Sequence, residues 1–126
     1  MKRYVLCALI LGGSLAASHA MAACEYPTAP GKFPDGTVAS LDEMKAAKAS
    51  VVKYNNDMEA YLTCIKDEFD AKVAENTSAT DKQKAEMQRM QDQKHNAAVK
   101  EVTEVTERFN EQLRAYKAKA AEKKAG

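Results

Sequence analysis

The residues of this chain best able to do chemistry are Cys24, Cys64 and His95, followed by Ser40, Ser50, Ser78 and the carboxylate pairs Asp67/Glu68 and Glu104/Glu107. A metal site needs several ligands at short spacing. His95 has no cysteine or paired carboxylate beside it, so it reads as a polar residue at a helix seam. The serines have no base partner in sequence terms, and the carboxylate pairs read as solvated helix faces. A glycine-rich phosphate loop is absent. Asn76-Thr77-Ser78 matches the glycosylation acceptor pattern, a short motif that arises by chance. No catalytic, cofactor-binding or metal-ligating residue is assigned, and the chain is expected to be non-enzymatic and without a cofactor.

The cysteines are more informative because the chain begins as an exported one. Met1-Lys2-Arg3 is a short positive segment, "YVLCALILGG" is apolar, and "SLAASHAMAA" supplies small residues. This is the layout of a secretory signal peptide. The apolar run is shorter than the roughly 18 residues a membrane anchor needs. Ala20-x-Ala22 and Ser18-x-Ala20 both fit small-x-small cleavage, and residues 1–22 are read as the signal. Cleavage removes Cys7 and leaves Cys24 and Cys64. Three chemistries are then open to Cys24. An even pair in an oxidising compartment reads as a disulfide. The small residues before Cys24 suit a lipid attachment site, although Met21 stands where leucine is usual. A free thiol is the third option. The first two exclude each other, since an acylated sulfur has nothing left for Cys64.

Charge excludes one class of function. Losing Lys2 and Arg3 lowers the basic residues from 19 to 17 against 18 acids, a mature net charge of about −1. Nucleic-acid binding rests on a basic surface and is not expected. About a hundred residues remain, enough for one small domain. With no tryptophan and 6% aromatic residues, a large globular core is not expected.

The elements that position the cysteines follow from pattern. Residues 23–39 carry Pro27, Pro30 and Pro34 with Gly31 and Gly36, a density that excludes helix and favours an extended strap. Pro34-Asp35-Gly36 is a turn signal. Tyr26 and Phe33 are the apolar anchors of the strap. Ser40-x-x-Glu43 is a capping box and opens a helix over about 41–75. There Met44, Val51, Met58 and Ile65 take heptad d positions, while Leu41, Lys48, Asn55, Leu62 and Phe69 take a. A second stripe of Ala47, Tyr54, Tyr61 and Cys64 lies beside the first and gives the strap a surface. Thr80-x-x-Gln83 is a second capping box, opening a helix over about 80–122. Its apolar face is Met87, Met90, Ala98, Val102, Val105, Phe109, Leu113 and Tyr116. The loop over 76–80 makes the helices antiparallel neighbours. The basic, alanine-rich tail "RAYKAKAAEKKAG" is expected to fray.

The bridge is within reach. Cys64 lies about 35 Å along its helix at 1.5 Å per residue, and the strap extended spans about 53 Å. A loop of about 40 residues closed by a disulfide is stabilised by roughly 4 kcal/mol in the chain-entropy view.

The stretches "ACEYPTAPGKFPDG", "EMKAAKASVVKYNNDMEAYLTCI" and "HNAAVKEVTEVTERFNEQLRAYKA" resemble a family of small exported proteobacterial proteins. The resemblance covers nearly all of the mature chain and is loosest around residues 70–90. It implies an N-terminal signal, a proline-containing front segment and a helical body, and it implies no activity. The positions of Cys24 and Cys64 match the family pattern, which favours the disulfide.

The expectation is therefore an all-α, antiparallel, coiled-coil-like two-helix hairpin over 40–126, with an extended N-terminal strap over 23–39 bound through Cys24–Cys64. Its expected role is that of a periplasmic or secreted structural or protein-interaction module, with other envelope proteins or itself as partner. The alternative is an envelope-anchored lipoprotein at Cys24, or a peripheral surface binder through the basic tail. Membrane contact through the front segment would require lipid on Cys24.

Overall fold

The structure is a computed structural model that describes residues 23–125. The signal peptide read at residues 1–22 lies outside the described residues. The fold is all-helical: an extended strap leads into α1 (Leu41–Glu75), which is followed by α2 (Asp81–Ala125), and the two helices pack against each other.

Local chemistry fixes both helix starts. Ser40 Oγ accepts from the Glu43 backbone N–H, and the Glu43 carboxylate accepts from the Ser40 N–H at 2.7 Å. Thr80 and Gln83 repeat this exchange: Thr80 N–H donates to Gln83 Oε1 at 2.8 Å, and Gln83 N–H donates to Thr80 Oγ1 at 3.3 Å. Each box satisfies backbone donors that have no partner inside the first turn. At the other end of α1, Asn76 closes the helix. Its backbone N–H and its side-chain amide both donate to the Lys72 carbonyl. The tail expected to fray is helical through Ala125. Alanine and lysine are good helix formers, and Lys123 and Lys124 sit favourably at the negative end of the helix dipole.

The core of α1 consists of Met44, Ala47, Val51, Tyr54, Met58, Tyr61 and Ile65. These steps of three and four form one regular heptad stripe. It combines the expected d residues with the second stripe, and leaves out the expected a positions: Leu41 is 53% exposed, while Leu62 and Phe69 are half-buried. The buried face is thus rotated toward the strap, because the strap and α2 together cover it. On α2, Ala98, Val105 and Phe109 are buried, and Val102, Leu113 and Tyr116 pack against them from the side. Met90, expected on the apolar face, is 51% exposed.

The strap lies along the groove between the helices. Tyr26 packs edge-on against Tyr61 with ring centroids 4.9 Å apart. Phe33 meets Phe109 on α2 at 5.7 Å, so the two apolar anchors of the strap divide between the helices. The strap then turns. Asp35 Oδ1 accepts from the Thr37 N–H and Oγ1, and the Asp35 carbonyl accepts from Val38 and Ala39. Inside this turn Gly36 is buried against α2, and its N–H donates to Gln112 Oε1 at 2.9 Å. A Cβ there would stand 1.9 Å from the Gln112 carbonyl oxygen and 2.8 Å from the Tyr116 nitrogen. Glycine is needed at this position for close approach to a helix backbone, not for an unusual φ.

Helix backbone cannot yield as a side-chain tip can. Gly36→Ala is therefore expected to lift the turn from α2 and lower stability by about 1–3 kcal/mol, in the range of overpacked sites. Chemical denaturation of oxidised wild type and variant measures this. A variant with unchanged stability would show that the turn does not dock as described.

Candidate functional site

The strap groove brings together the two cysteines picked out from the sequence. Cys24 and Cys64 are bonded, with Cα atoms 5.8 Å apart, inside the range of ordinary disulfides. Cys64 flanks the buried stripe and is half-buried, while Ile65 beside it is fully buried. The bridge therefore sits on the outer rim of the groove, where the strap begins.

Just beyond the bridge lies a tyrosine cluster. Tyr26 Oη donates to Glu101 Oε2 at 2.7 Å. Burial and then this hydrogen bond hold the Tyr26 hydroxyl well above the usual phenol range. Tyr54 is 2% exposed. Its hydroxyl is buried without a hydrogen-bond partner, although the Glu101 carboxylate is near enough to act on it electrostatically. Burial first, then Glu101, pushes the Tyr54 pKa up to about 12, with Arg108 opposing. Tyr61 is raised by burial and by Glu68. Arg108 also lies over Phe33, with its guanidinium carbon 5.8 Å from the ring centroid, a cation–π distance. Glu101 and Arg108 of α2 both flank Tyr54 of α1, which places the helices within a turn of the register set by the short loop.

The remaining candidates are dispersed. His95 is exposed. Ser40 caps α1, and the Ser50 hydroxyl donates to the Ala46 carbonyl. Ser78 is in the interhelical loop. Glu68 makes long ion pairs with Lys72 at 3.6 Å and with Lys94 across the hairpin at 3.9 Å. Glu104 pairs with Lys100 on the same helix. Among the described residues, no group of three or more His, Cys, Asp and Glu side chains is placed to hold a metal ion. Met44 and Met58 are core. An open cleft of about 690 Å³ runs between strap and α1, with Lys32, Phe33, Lys53, Tyr54 and Asp57 in its walls. Its charges are mixed in sign.

Three residues that receive the strap, Glu101, Arg108 and Gln112, and Gly36 within it, were not singled out by sequence reasoning. Gly36 was read only as part of a turn, and the other three sit among many similar polar residues on α2. The class this geometry defines is a disulfide-strapped helical hairpin. Comparison with family models, curated proteins and solved structures finds no match.

Two outcomes follow. A tyrosine is uncharged while protonated, and folding raises the Tyr54 pKa from 10.0 to about 12. Its contribution is thus fully present below pH about 10 and is lost as pH rises through about 12. This alkaline loss should amount to roughly 2–3 kcal/mol. Tyr54→Phe should weaken the dependence, and because it removes a hydroxyl with no partner, it should change neutral-pH stability by less than about 1 kcal/mol. Denaturant melts at neutral and alkaline pH check both signs; an undiminished alkaline loss would assign it elsewhere. Separately, reduction or Cys64→Ser should lower stability by about 2–4 kcal/mol and leave most of the far-ultraviolet helical signal, since both helices keep their mutual contact. An unchanged melting midpoint on reduction would mean that the bridge does not hold the strap.

Proposed function

We propose that this chain is exported to an oxidising compartment, the periplasm or the medium, and works there without catalysis as a structural or protein-interaction module. The observation that carries this reading is the Cys24–Cys64 bond. Disulfides persist outside the reducing cytosol, and this one joins a front segment that directly follows a signal-like leader. The interaction role is supported by shape. α2 has 45 residues and is about 67 Å long at 1.5 Å per residue, so the hairpin offers long helical flanks. No helix among the described residues is long and apolar enough to cross a membrane.

A second reading rests on the end of α2. Arg114, Lys117, Lys119, Lys123 and Lys124 make no ion pair among the described residues, and such a cluster suits peripheral contact with an anionic surface. Attachment by lipid at Cys24 would require the disulfide to be absent.

Expression of the full chain, osmotic release and intact mass separate these readings. The expected product is a soluble polypeptide starting near residue 23, lighter by two hydrogens than the sum of its residues. A chain retaining residues 1–22 in the cytosol with free thiols would overturn export. Added acyl mass in the membrane fraction would establish the lipoprotein in its place.

A further inference from the structure

We propose that Asp35–Gly36 is a self-modification site, where the chain forms a succinimide and then an isoaspartyl linkage, and that docking of the strap turn on α2 keeps this site closed. The proposal goes beyond the module reading and stands wherever the chain works.

The chemistry is set by the residue pair. The chain contains one Asp-Gly pair and no Asn-Gly pair. Glycine has no Cβ to obstruct the approach of its nitrogen to the preceding side chain. In the reacting step the Gly36 amide nitrogen attacks Asp35 Cγ. The N–Cγ bond forms and a Cγ–O bond breaks, and the amide proton leaves with the carboxyl hydroxyl as one water. The product is a five-membered succinimide. Water then adds back and opens the ring. Addition at Cγ restores aspartate. Addition at the Asp35 main-chain carbonyl carbon leaves Gly36 joined through Cγ, which is isoaspartate. Water is the only other reactant, and the final mass is unchanged.

In the docked turn both reacting groups are occupied. The Gly36 N–H donates to Gln112 Oε1 at 2.9 Å, and the nitrogen cannot turn toward Asp35 Cγ without leaving that acceptor. Asp35 Oδ1 accepts from the Thr37 Oγ1 at 2.7 Å and from the Thr37 N–H at 2.9 Å. These bonds hold the Asp35 carboxyl below its ordinary range, so less of it is the neutral acid from which hydroxyl leaves as water. Clearance is also lacking. Gly36 is buried, and a Cβ on it would stand 1.9 Å from the Gln112 carbonyl oxygen. Asp35 and Thr37 on either side are exposed. The turn is therefore a unit that opens locally while the helices stay paired.

Conversion works in one direction. The isoaspartyl chain has one more methylene in its main chain and a free α-carboxylate. The Asp35 carbonyl that accepts from Val38 and Ala39 is displaced, and the lengthened turn no longer fits against the α2 backbone. The strap is then left with its bridge and the Tyr26 contacts at the far end.

The test incubates the mature, oxidised chain at neutral pH and follows the tryptic peptide 33–45. Succinimide appears as a peptide lighter by one water, and isoaspartate as a form of unchanged mass that accepts enzymatic carboxyl methylation. The same chain unfolded in guanidinium chloride is the reference for an open turn. The folded chain should convert at least about tenfold more slowly, as local closure requires. Gln112→Ala removes the acceptor of the Gly36 N–H and should speed conversion of the folded chain about fivefold, with the circular dichroism signal of both helices retained. Ala98 is fully buried and lies about 21 Å along α2 from Gln112. Ala98→Gly weakens the helix pair without touching the turn and should leave the rate unchanged. The converted chain, separated from its parent, should melt at a lower temperature and be cut faster by trypsin at the exposed Lys32. No conversion in the unfolded chain, or equal rates folded and unfolded, overturns the proposal. So does Gln112→Ala without effect, or Ala98→Gly that speeds conversion as much as Gln112→Ala, which would place the gate at global unfolding. A converted chain that melts with its parent overturns the loss of docking.

Discussion

Two helices joined by a short loop share only one seam, and the rest of the structure depends on what closes its open side. Here the closure is a proline-containing strap laid into the groove. It buries Ala47, Tyr54 and Tyr61 of α1, which α2 alone would leave half-covered, and it supplies Phe33 to Phe109. The strap has no ladder of its own. Among the described residues, side-chain packing, the Tyr26–Glu101 hydrogen bond and the bridge hold its first part, and the Gly36–Gln112 hydrogen bond holds its end. Such a segment would lose little by leaving the groove, since each exposed polar contact contributes only about 1 kcal/mol. Covalent closure changes this by removing conformational freedom from the unfolded chain.

This division of labour explains what the sequence made legible. Helix limits were readable because capping is local: Ser40 with Glu43 and Thr80 with Gln83 state the two starts within four residues each. The pairing of Cys24 with Cys64 was readable because only two cysteines follow the signal-like segment. The rotation of the core was harder. A heptad assignment asks which stripe faces one partner helix, and α1 has two neighbours on adjacent sides. Its true seam lies between the two stripes that the pattern separated, which moved Leu41 outward and Tyr54 inward. The placement of Phe33 on α2 was not readable at all, because an extended strap can lean to either wall of a groove. What decided it, Gly36 against the backbone of Gln112 and Tyr116, is a matter of clearance between main chains, and no side-chain pattern encodes that.

The site shows the same limit. Glu101 is one glutamate among several on α2 until the fold sets it beside Tyr26 and Tyr54. It accepts from one hydroxyl and leaves the other, more deeply buried one without a partner. A phenylalanine at position 54 would avoid that unpaired oxygen. The tyrosine therefore adds bulk to the core with a small polar cost attached. Arg108, which stacks on Phe33 and lies near Tyr54, partly offsets the carboxylate field.

The strap also bears on how charge is distributed around α2. By occupying one flank it draws the charged side chains of residues 99–113 to its own edge, where Tyr26 and Phe33 find Glu101 and Arg108 as partners. Helical geometry then leaves the opposite flank with threonine, asparagine and aliphatic residues. The two flanks are not independent features of the sequence. A helix of 3.6 residues per turn that gives one face to the core and one to a polar strap edge has a single face left. The sorting of charge on α2 over residues 99–113 therefore follows the docking of the strap, whose Tyr26 and Phe33 meet Glu101 and Arg108.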